Sequence, residues 1–315
     1  MSNKKFVAII GAGSVGCWLG GRLRAAGHEV AILREKSRIQ RDNEIIVLEE
    51  GEEEERVELP VWEALEPKPD IILLAVKAMF LPQVAPLLAA NMKEDTLVLP
   101  LQNGVPFWFA GDETVIDVDP VGSVRTAVGQ ANIIGTVVHA SVSRKGDWIT
   151  VGKADKLLLG EPSGSHSARV AELVQLFRDA GVPSAQSDNI RNDIWYKLWG
   201  NLTINPLSAL TRQTVDRLLD DEDVLSFIRR GMEECAAIGE AIGCSISDSI
   251  DDRLDVTRTL GVFKPSMLQD LEAGRPLEYK ALVAAPRAIA REHGIETPAI
   301  DALLGMIRQL DGGLV

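Results

Sequence analysis

Residues 6–16 read FVAIIGAGSVG, an apolar run that leads directly into a glycine loop of the form G-x-G-x-x-G. The run predicts a buried β-strand, and the segment after the loop predicts a helix that ends near residue 26. Two further apolar runs, 29–33 and 70–76, predict parallel neighbours of the first strand. Strand, helix and strand in this order form a βαβ unit, so we expect an α/β protein with an N-terminal Rossmann-type dinucleotide-binding domain.

The glycine loop predicts where the pyrophosphate of a dinucleotide would bind. Gly11 allows a tight turn, Gly13 lets the backbone approach the phosphates, and Gly16 lets the helix pack closely on the strand. The first turn of the helix offers N–H groups and the positive end of the helix dipole to the anion. The predicted cofactor contacts from this loop are Gly11, Ala12, Gly13, Ser14, Val15 and Gly16.

The end of the second strand predicts which dinucleotide binds. NAD sites usually carry Asp or Glu here for the ribose hydroxyls, whereas this chain has Arg34, with Arg38 one helical turn later. A guanidinium fork suits a 2′-phosphate better than a bare ribose, so these residues favour NADP. NAD remains an alternative, because Glu35 could serve the ribose while both arginines are solvated loop cations.

Polar side chains follow the next two predicted strands. Lys77 comes directly after the strand at 70–76, and Asn103 follows an apolar run at 96–101. In an open parallel sheet the carboxyl ends of the strands face the ligand crevice. Lys77 and Asn103 are therefore predicted to contact cofactor or substrate, with an ordinary surface position as the alternative for Lys77.

The chain changes character near Asp188, and only helices are predicted after that point. Before it, the acidic run 49–55 is expected to form the solvated tip of an inserted hairpin rather than a docking site for a basic partner. We therefore divide the chain into a nucleotide-binding domain at 1–188 and an all-helical substrate and dimerisation domain at 189–315. In the first domain the pattern also predicts shorter strands at 121–127, 137–143, 148–151, 156–159 and 182–187. The helices predicted in the second domain include 189–204 and 278–293.

One predicted helix of the second domain carries an unusual polar stripe. Lys197, Asn201 and Asn205 are spaced i, i+4 and i+8, so they share one face of a continuous helix that Pro206 would end or kink. Their neighbours are Trp, Leu and Ile, which indicates a buried helix. Burying an ammonium and two amides without partners costs several kcal/mol, so a polar ligand in a cleft is the favoured explanation. A polar stripe that faces solvent is the alternative.

In their order and spacing, the motifs of the whole chain resemble the ketopantoate reductase family, the 2-dehydropantoate 2-reductases. The pieces that carry the resemblance are GAGSVG at 11–16, Arg34, Lys77-Ala78, Gln102-Asn103-Gly104, His139-Ala140, Trp195 with Lys197 and Asn201, Asn205-Pro206, Pro265-Ser266-Met267, Gln269-Asp270, and Glu278 in GRPLE at 274–278.

The resemblance implies a Rossmann domain joined to a helical domain, with NADPH and a 2-oxo acid bound between them. It implies reduction of 2-dehydropantoate to (R)-pantoate on the route to pantothenate and coenzyme A. Lys197 would be the general acid, and Glu278 would orient Lys197 and the substrate hydroxyl. The resemblance further assigns Lys77 and Asn103 to cofactor and substrate contacts, and Asn201, Asn205 and Ser266 to the keto acid.

The sequence departs from the family pattern at three points near these motifs. Phe80, Thr214-Val215 and Val283 stand where polar residues are common in the family, so a related 2-oxo acid is an alternative substrate. A 3-hydroxy acid or opine-type dehydrogenase is a second alternative, since the Lys197–Asn201 spacing also occurs in that broader superfamily. A catalytically idle NADP(H) sensor is a third, although a sensor has no need of Lys197 and Glu278.

The composition limits the other function classes. The chain has 315 residues with 33 Lys+Arg against 46 Asp+Glu, and this net charge of −13 argues against a nucleic-acid partner. Three cysteines without a C-x-x-C pair favour reduced thiols, and no apolar run is long enough to cross a membrane, so a cytoplasmic protein is expected. The histidines lack metal-ligand spacing, so no metal is predicted, and a homodimer through the helical domain is a further expectation. Because both expected ligands are anions, Arg34, Lys77 and Lys197 should concentrate positive charge where they bind.

Overall fold

The computed structural model describes residues 4–110 and 115–312, and the chain divides into two compact units. The first unit consists of Met1–Gln102, Phe107–Val115 and Asp119–Arg191. The second consists of Asn103–Pro106, Ile116–Val118 and Asn192–Val315. Two short stretches from the N-terminal half of the chain therefore belong to the second unit.

The strands of the described residues form one sheet in the first unit. They are β1 (Phe6–Ile10), β2 (Glu29–Leu33), β3 (Asn43–Glu50), β4 (Glu53–Trp62), β5 (Ile71–Leu74), β6 (Leu97–Pro100), β7 (Gly135–Lys145), β8 (Trp148–Gly160) and β9 (Ser184–Gln186). Their order is β6-β5-β1-β2-β4-β3-β8-β7, with β9 beside β8. The half from β6 to β2 is parallel, as the continuous apolar runs predict, whereas β3–β4 and β7–β8 are antiparallel pairs.

The helices in the described part of the first unit are α1 (Ser14–Ala25), α2 (Leu81–Asn91), α3 (Ser123–Val128) and α4 (Ala168–Asp179). Helices α1 and α4 pack on this sheet, and α2 and α3 pack on each other. The close approach of α1 depends on glycine, because a Cβ atom at Gly20 would lie 2.1 Å from the Ile9 side chain. This close approach packs the middle of α1 on the end of β1.

The sequence predicts the position of the acidic run correctly but is wrong about some of the later strands. The run 49–55 does form the tip of the β3–β4 hairpin, as expected. The strand expected at 121–127 is wrong, because α3 occupies this segment. The buried Asp119 carboxylate accepts hydrogen bonds of 3.0 Å from the N–H groups of Val124 and Arg125, and this cap starts the helix. The strands expected at 148–151 and 156–159 are one strand, β8.

From residue 192 onward the described part of the second unit is helical, as predicted. Its helices are α5 (Ile190–Asn201), α6 (Ile204–Thr211), α7 (Val215–Asp220), α8 (Glu222–Ala241), α9 (Ile250–Arg258), α10 (Ser266–Glu272), α11 (Ala285–Glu292) and α12 (Pro298–Gly312). Two buried tryptophans fix α5 on α8. Trp195 donates its indole N–H to the carbonyl of Cys235 at 3.0 Å, and Trp199 donates to that of Met232 at 2.9 Å.

The continuous helix expected at 189–204 is wrong, since α5 ends at Asn201 and α6 begins at Ile204. Pro206 has no N–H to donate to the carbonyl of Leu202, and its ring would clash with that carbonyl in an unbroken helix. Pro206 instead stands in the first turn of α6, where a missing N–H costs little. Lys197 and Asn201 therefore share one helix, while Asn205 is carried by the next.

The helix expected at 278–293 also divides. Residues Lys280–Ala284 form a π-helical turn, and only then does α11 begin. A π turn widens the helix locally and is common at functional sites. Glu278 lies just before this turn.

No helix in the part of the chain that the structure describes is long and apolar enough to cross a membrane.

Candidate active site

The glycine loop has the shape that a dinucleotide requires. Gly11 has a φ of +102°, and a Cβ there would lie 2.5 Å from the backbone of Ala75 and Val76. A Cβ at Gly16 would lie 2.4 Å from the carbonyl oxygen of Gly11. Both positions therefore require glycine.

The surface of the loop is open where the phosphates would approach. A Cβ at Gly13 would have no neighbour within 4 Å, and Gly13 precedes α1 without any side-chain cap on the helix. The first-turn N–H groups of α1 are thus not capped by a side chain of the N-cap residue, and the helix end can bind an anion. These residues fit the pyrophosphate of a dinucleotide.

Arg34 lies directly after β2, as the sequence indicates, and forms an ion pair with Glu44 of β3. Its guanidinium is 2.9 Å from the Glu44 carboxylate, and Glu44 also accepts a 3.0 Å hydrogen bond from Arg144. We call these three residues the arginine–glutamate cluster. Arg144 also donates to the carbonyl of Ala12, so the cluster reaches the glycine loop.

Two charged residues beside Arg34 form a pair of their own. Arg38 lies 3.6 Å from Glu35, and both side chains are largely exposed. Glu35 was the candidate for an NAD ribose and Arg38 the second candidate for a 2′-phosphate. The Arg38–Glu35 pair is thus exposed to solvent, whereas the arginine–glutamate cluster is partly buried and lies next to the glycine loop.

The two strand-end residues have different surroundings. Lys77 is half-buried and follows β5, at the start of a short 3₁₀ turn. Gln102 donates two hydrogen bonds, of 2.7 Å to the carbonyl of Leu74 and 2.8 Å to that of Val76, and so joins the ends of β5 and β6. Asn103, the next residue along the chain, belongs to the second unit.

In the second unit the Lys197 ammonium donates a 2.7 Å hydrogen bond to the side-chain oxygen of Asn103. Burial lowers the pKa of Lys197 to about 8, while the Glu278 carboxylate acts in the opposite direction and raises it. A lysine in this range holds a proton near neutral pH and can give it up. This behaviour is the physical requirement for a general acid.

The segment that carries Asn103 is fixed on the π-helical turn after Glu278. Val105 donates a 2.9 Å hydrogen bond to the carbonyl of Ala281. Gly104 has a φ of +84°, and a Cβ there would lie 2.5 Å from the same carbonyl oxygen. Asn103 and Glu278, which both act on Lys197, are therefore held by one local structure.

The predicted substrate ligands Asn201, Asn205 and Ser266 lie on three helices, α5, α6 and α10. Asn201 is the last residue of α5, one turn beyond Lys197, and Asn205 is buried in the first turn of α6. Ser266 is exposed at the start of α10, which packs on α6. Within the described residues no group of three or more His, Cys, Asp or Glu could hold a metal ion.

Two family models match the chain. They are ketopantoate reductase PanE/ApbA over residues 7–163 and ketopantoate reductase PanE/ApbA C terminal over residues 189–311. A 2-dehydropantoate 2-reductase from Mesorhizobium japonicum is 36% identical over 319 residues, which covers 96% of this chain and 97% of the relative.

The chain belongs to the ketopantoate reductase family. Solved structures agree with this assignment. A protein from Ralstonia solanacearum MolK2, provisionally named ketopantoate reductase, is 38% identical with a TM-score of 0.93 and 99% of both chains covered. A dimeric ketopantoate reductase from Staphylococcus aureus is 25% identical with a TM-score of 0.78, covering 98% of this chain and 100% of its own. The predicted fold class and family are confirmed, and this family member is an NAD(P)-dependent oxidoreductase that acts on CH–OH groups.

Sequence reasoning missed Glu44 and Arg144. Glu44 looked like one of many acidic residues of the inserted hairpin, and Arg144 lies 100 residues further along the chain. Neither residue belongs to a motif that we recognised as functional. Only the sheet order, which brings β3, β8 and β7 side by side, carries these residues to the glycine loop.

Proposed function

We propose that this protein reduces the ketone of 2-dehydropantoate, or of a closely related 2-oxo acid, to the corresponding 2-hydroxy acid with NADPH as cofactor. The single observation that carries this proposal is the half-buried Lys197, with its pKa lowered to about 8 and its ammonium held 2.7 Å from the Asn103 amide oxygen. The 36% identical relative named 2-dehydropantoate 2-reductase supports the choice of substrate.

In this proposal Lys197 is the acid that completes the reduction. When bound, the nicotinamide supplies a hydride to the carbonyl carbon. Negative charge then develops on the carbonyl oxygen, where the ammonium of Lys197 stabilises it and transfers a proton from Nζ. Asn103 directs Nζ by accepting one of its three hydrogens, and Glu278 favours the protonated form of the lysine.

The remaining predicted residues bind the two ligands. The loop residues 11–16 would hold the pyrophosphate, and Arg34, Lys77 and Asn103 would contact the rest of the cofactor. Asn201, Asn205 and Ser266 would hydrogen-bond to the keto acid. In this proposal residues 1–188 serve the nucleotide and residues 189–315 serve the substrate and dimerisation.

The proposal is tested by following the oxidation of NADPH by the purified protein with a panel of 2-oxo acids that includes 2-dehydropantoate. We expect turnover with 2-dehydropantoate. If only another keto acid is reduced, the specific substrate is wrong and the reaction class stands. Oxidation of 3-hydroxy acids or condensation of an amino acid with a keto acid would favour the alternative dehydrogenases. Tight NADPH binding without turnover of any keto acid would favour the sensor.

We also propose a homodimer in the cytoplasm. The dimeric relative from Staphylococcus aureus supports the first part, and three free, buried cysteines at 17, 235 and 244 are compatible with a reducing compartment. Light scattering coupled to gel filtration tests the dimer, because it gives the molar mass without a shape assumption.

A further inference from the structure

The arginine–glutamate cluster places two cations and one carboxylate beside the glycine loop. Each oxygen of Glu44 takes one guanidinium, from Arg34 at 2.9 Å and from Arg144 at 3.0 Å. All three side chains are largely buried, with exposed fractions of 26% for Arg34, 12% for Glu44 and 22% for Arg144. Although burial alone would raise the pKa of Glu44, the hydrogen bonds from both arginines lower it, so the carboxylate is ionised at neutral pH.

Arg144 is held from several sides. Its Nε donates to the carbonyl of Gly146 at 2.9 Å, and one terminal nitrogen contacts the carbonyl of Ala12 and the thiol of Cys17, the latter at 3.3 Å. The other terminal nitrogen donates to Glu44. Arg144 has therefore used most of its donors inside the protein, and it is poorly placed to bind a ligand directly.

Arg34 is in the opposite state. Glu44 is the sole partner of its side chain among the described residues, so most of its five N–H donors remain for a ligand. If Glu44 were its only charged neighbour, the pair would be neutral and would attract an anion weakly. Arg144 changes this balance, because two guanidinium groups and one carboxylate leave a net charge of +1.

We propose that Arg144 is a positioning residue for the 2′-phosphate of the cofactor. It neutralises Glu44, so that Glu44 can orient Arg34 without cancelling the positive charge that Arg34 presents to the phosphate. This inference rests on the proposed NADPH cofactor and adds two residues that no motif of the chain indicates. It makes NADP preference a property of the net charge of three residues.

The net charge of the cluster should set the order in which four proteins prefer the 2′-phosphate. The cluster has a charge of +1 in the wild type, 0 in Arg144→Gln, +2 in Glu44→Gln and again +1 in the double variant. Affinity is measured by isothermal titration with adenosine 2′,5′-bisphosphate and with adenosine 5′-phosphate, which differ only by the 2′-phosphate. Arg144→Gln should reduce the preference for the bisphosphate by roughly tenfold. The double variant should recover most of that loss, and Glu44→Gln should show at least the wild-type preference.

A merely structural role for Arg144 gives a different result. If Arg144 only holds the glycine loop through Ala12, its loss weakens both ligands equally and the second substitution rescues nothing. That pattern, or an unchanged preference in Arg144→Gln, overturns the proposal. Thermal melting of each variant identifies any misfolded protein, and the folded double variant keeps the test decisive.

Arg22→Gln is a matched control. Arg22 lies on α1 and is also a largely buried arginine. It pairs with two glutamates at the tip of the same hairpin, Glu50 and Glu55, and not with Glu44. Its loss should leave the preference for the 2′-phosphate unchanged. Failure of the proposed function would appear instead as absence of keto acid turnover by the wild type, independently of these binding ratios.

Discussion

Arg34 in the first unit and Lys197 in the second are both cations that the proposed reaction requires, but their surroundings differ. Arg34 is paired with an ionised carboxylate and a second guanidinium lies next to that carboxylate. Lys197 donates to a neutral amide, and burial lowers its pKa to about 8. One cation lies beside an ionised carboxylate, and the other is brought close to losing its proton.

The difference follows from the two tasks. A group that binds a phosphate must be positive at every working pH, and a guanidinium with its pKa far above neutrality meets that need. A group that donates a proton must be able to release it, so it needs a pKa near the working pH. A guanidinium paired with a carboxylate therefore suits binding, and a buried ammonium suits proton transfer.

The largest expected effect is that of removing the reacting cation. Lys197→Ala should lower kcat for keto acid reduction by about 10²–10⁴, because both the stabilising charge and the proton are lost. NADPH affinity, measured by fluorescence titration, should change little. Lys280→Ala, which removes an exposed lysine of the same unit, is the control. Activity within a few-fold of the wild type in Lys197→Ala would exclude its role as the acid.

Removing the binding cation should have the next largest effect. Arg34→Gln should weaken NADPH binding by about 10–100-fold and NADH binding much less, since charge-assisted hydrogen bonds to the 2′-phosphate are lost. Arg38→Gln is the control, because Arg38 is exposed and paired with Glu35. Equal losses for both cofactors would contradict NADP selection by Arg34.

Asn103→Asp gives Lys197 the kind of partner that Arg34 has. A carboxylate beside the ammonium raises the pKa of Lys197 above 8, so the fall in kcat with rising pH should move to higher pH. The rate at neutral pH should fall several-fold, because the lysine becomes a weaker acid. Asn103→Ala removes the amide without adding charge and should slow the reaction without this upward movement. An unmoved profile in Asn103→Asp would show that Lys197 does not control the pH dependence.

The smallest expected effect is a movement of the same profile in the other direction. Reduction needs protonated Lys197, so kcat falls as the pH rises through the lysine pKa. Glu278→Gln removes a carboxylate that raises this pKa, and the fall should therefore begin at lower pH than in the wild type. A pH profile of kcat across the neutral to alkaline range measures the pH at which the rate falls. Movement of that fall to higher pH would contradict the effect of Glu278 on the pKa of Lys197.

The fold was largely predictable because its signals are local. The apolar run at 6–10, the glycine loop and the helix after it predict the βαβ unit from adjacent residues, and the structure contains it. The errors occur where a contact outside the pattern decides the structure. Asp119 caps α3 in a segment whose apolar pattern suggested a strand, and the Pro206 ring divides a helix whose polar spacing looked continuous.

The candidate site was predictable only as far as motifs extend. Asn103 could be named from its position after a strand, and Lys197 from its position on a helix. The structure joins the two side chains by a hydrogen bond of 2.7 Å. The cluster around Arg34 could not be found this way. Glu44 and Arg144 acquire their role from the order of strands β3, β8 and β7, and that order is a property of the whole sheet.

The division of the chain into interleaved units has a consequence for how its gene can be rearranged. Asn103–Pro106 belongs to the second unit although it is encoded far upstream of Asn192. A fragment that starts at residue 189 would lack the amide that holds Lys197 and the Val105 N–H that binds the π-helical turn. If only the C-terminal half were exchanged between relatives, the lysine at position 197 would come from one relative and the segment 103–106 that holds it from the other. Recombination within this family should succeed more often when residues 103–106 are exchanged together with the helical half.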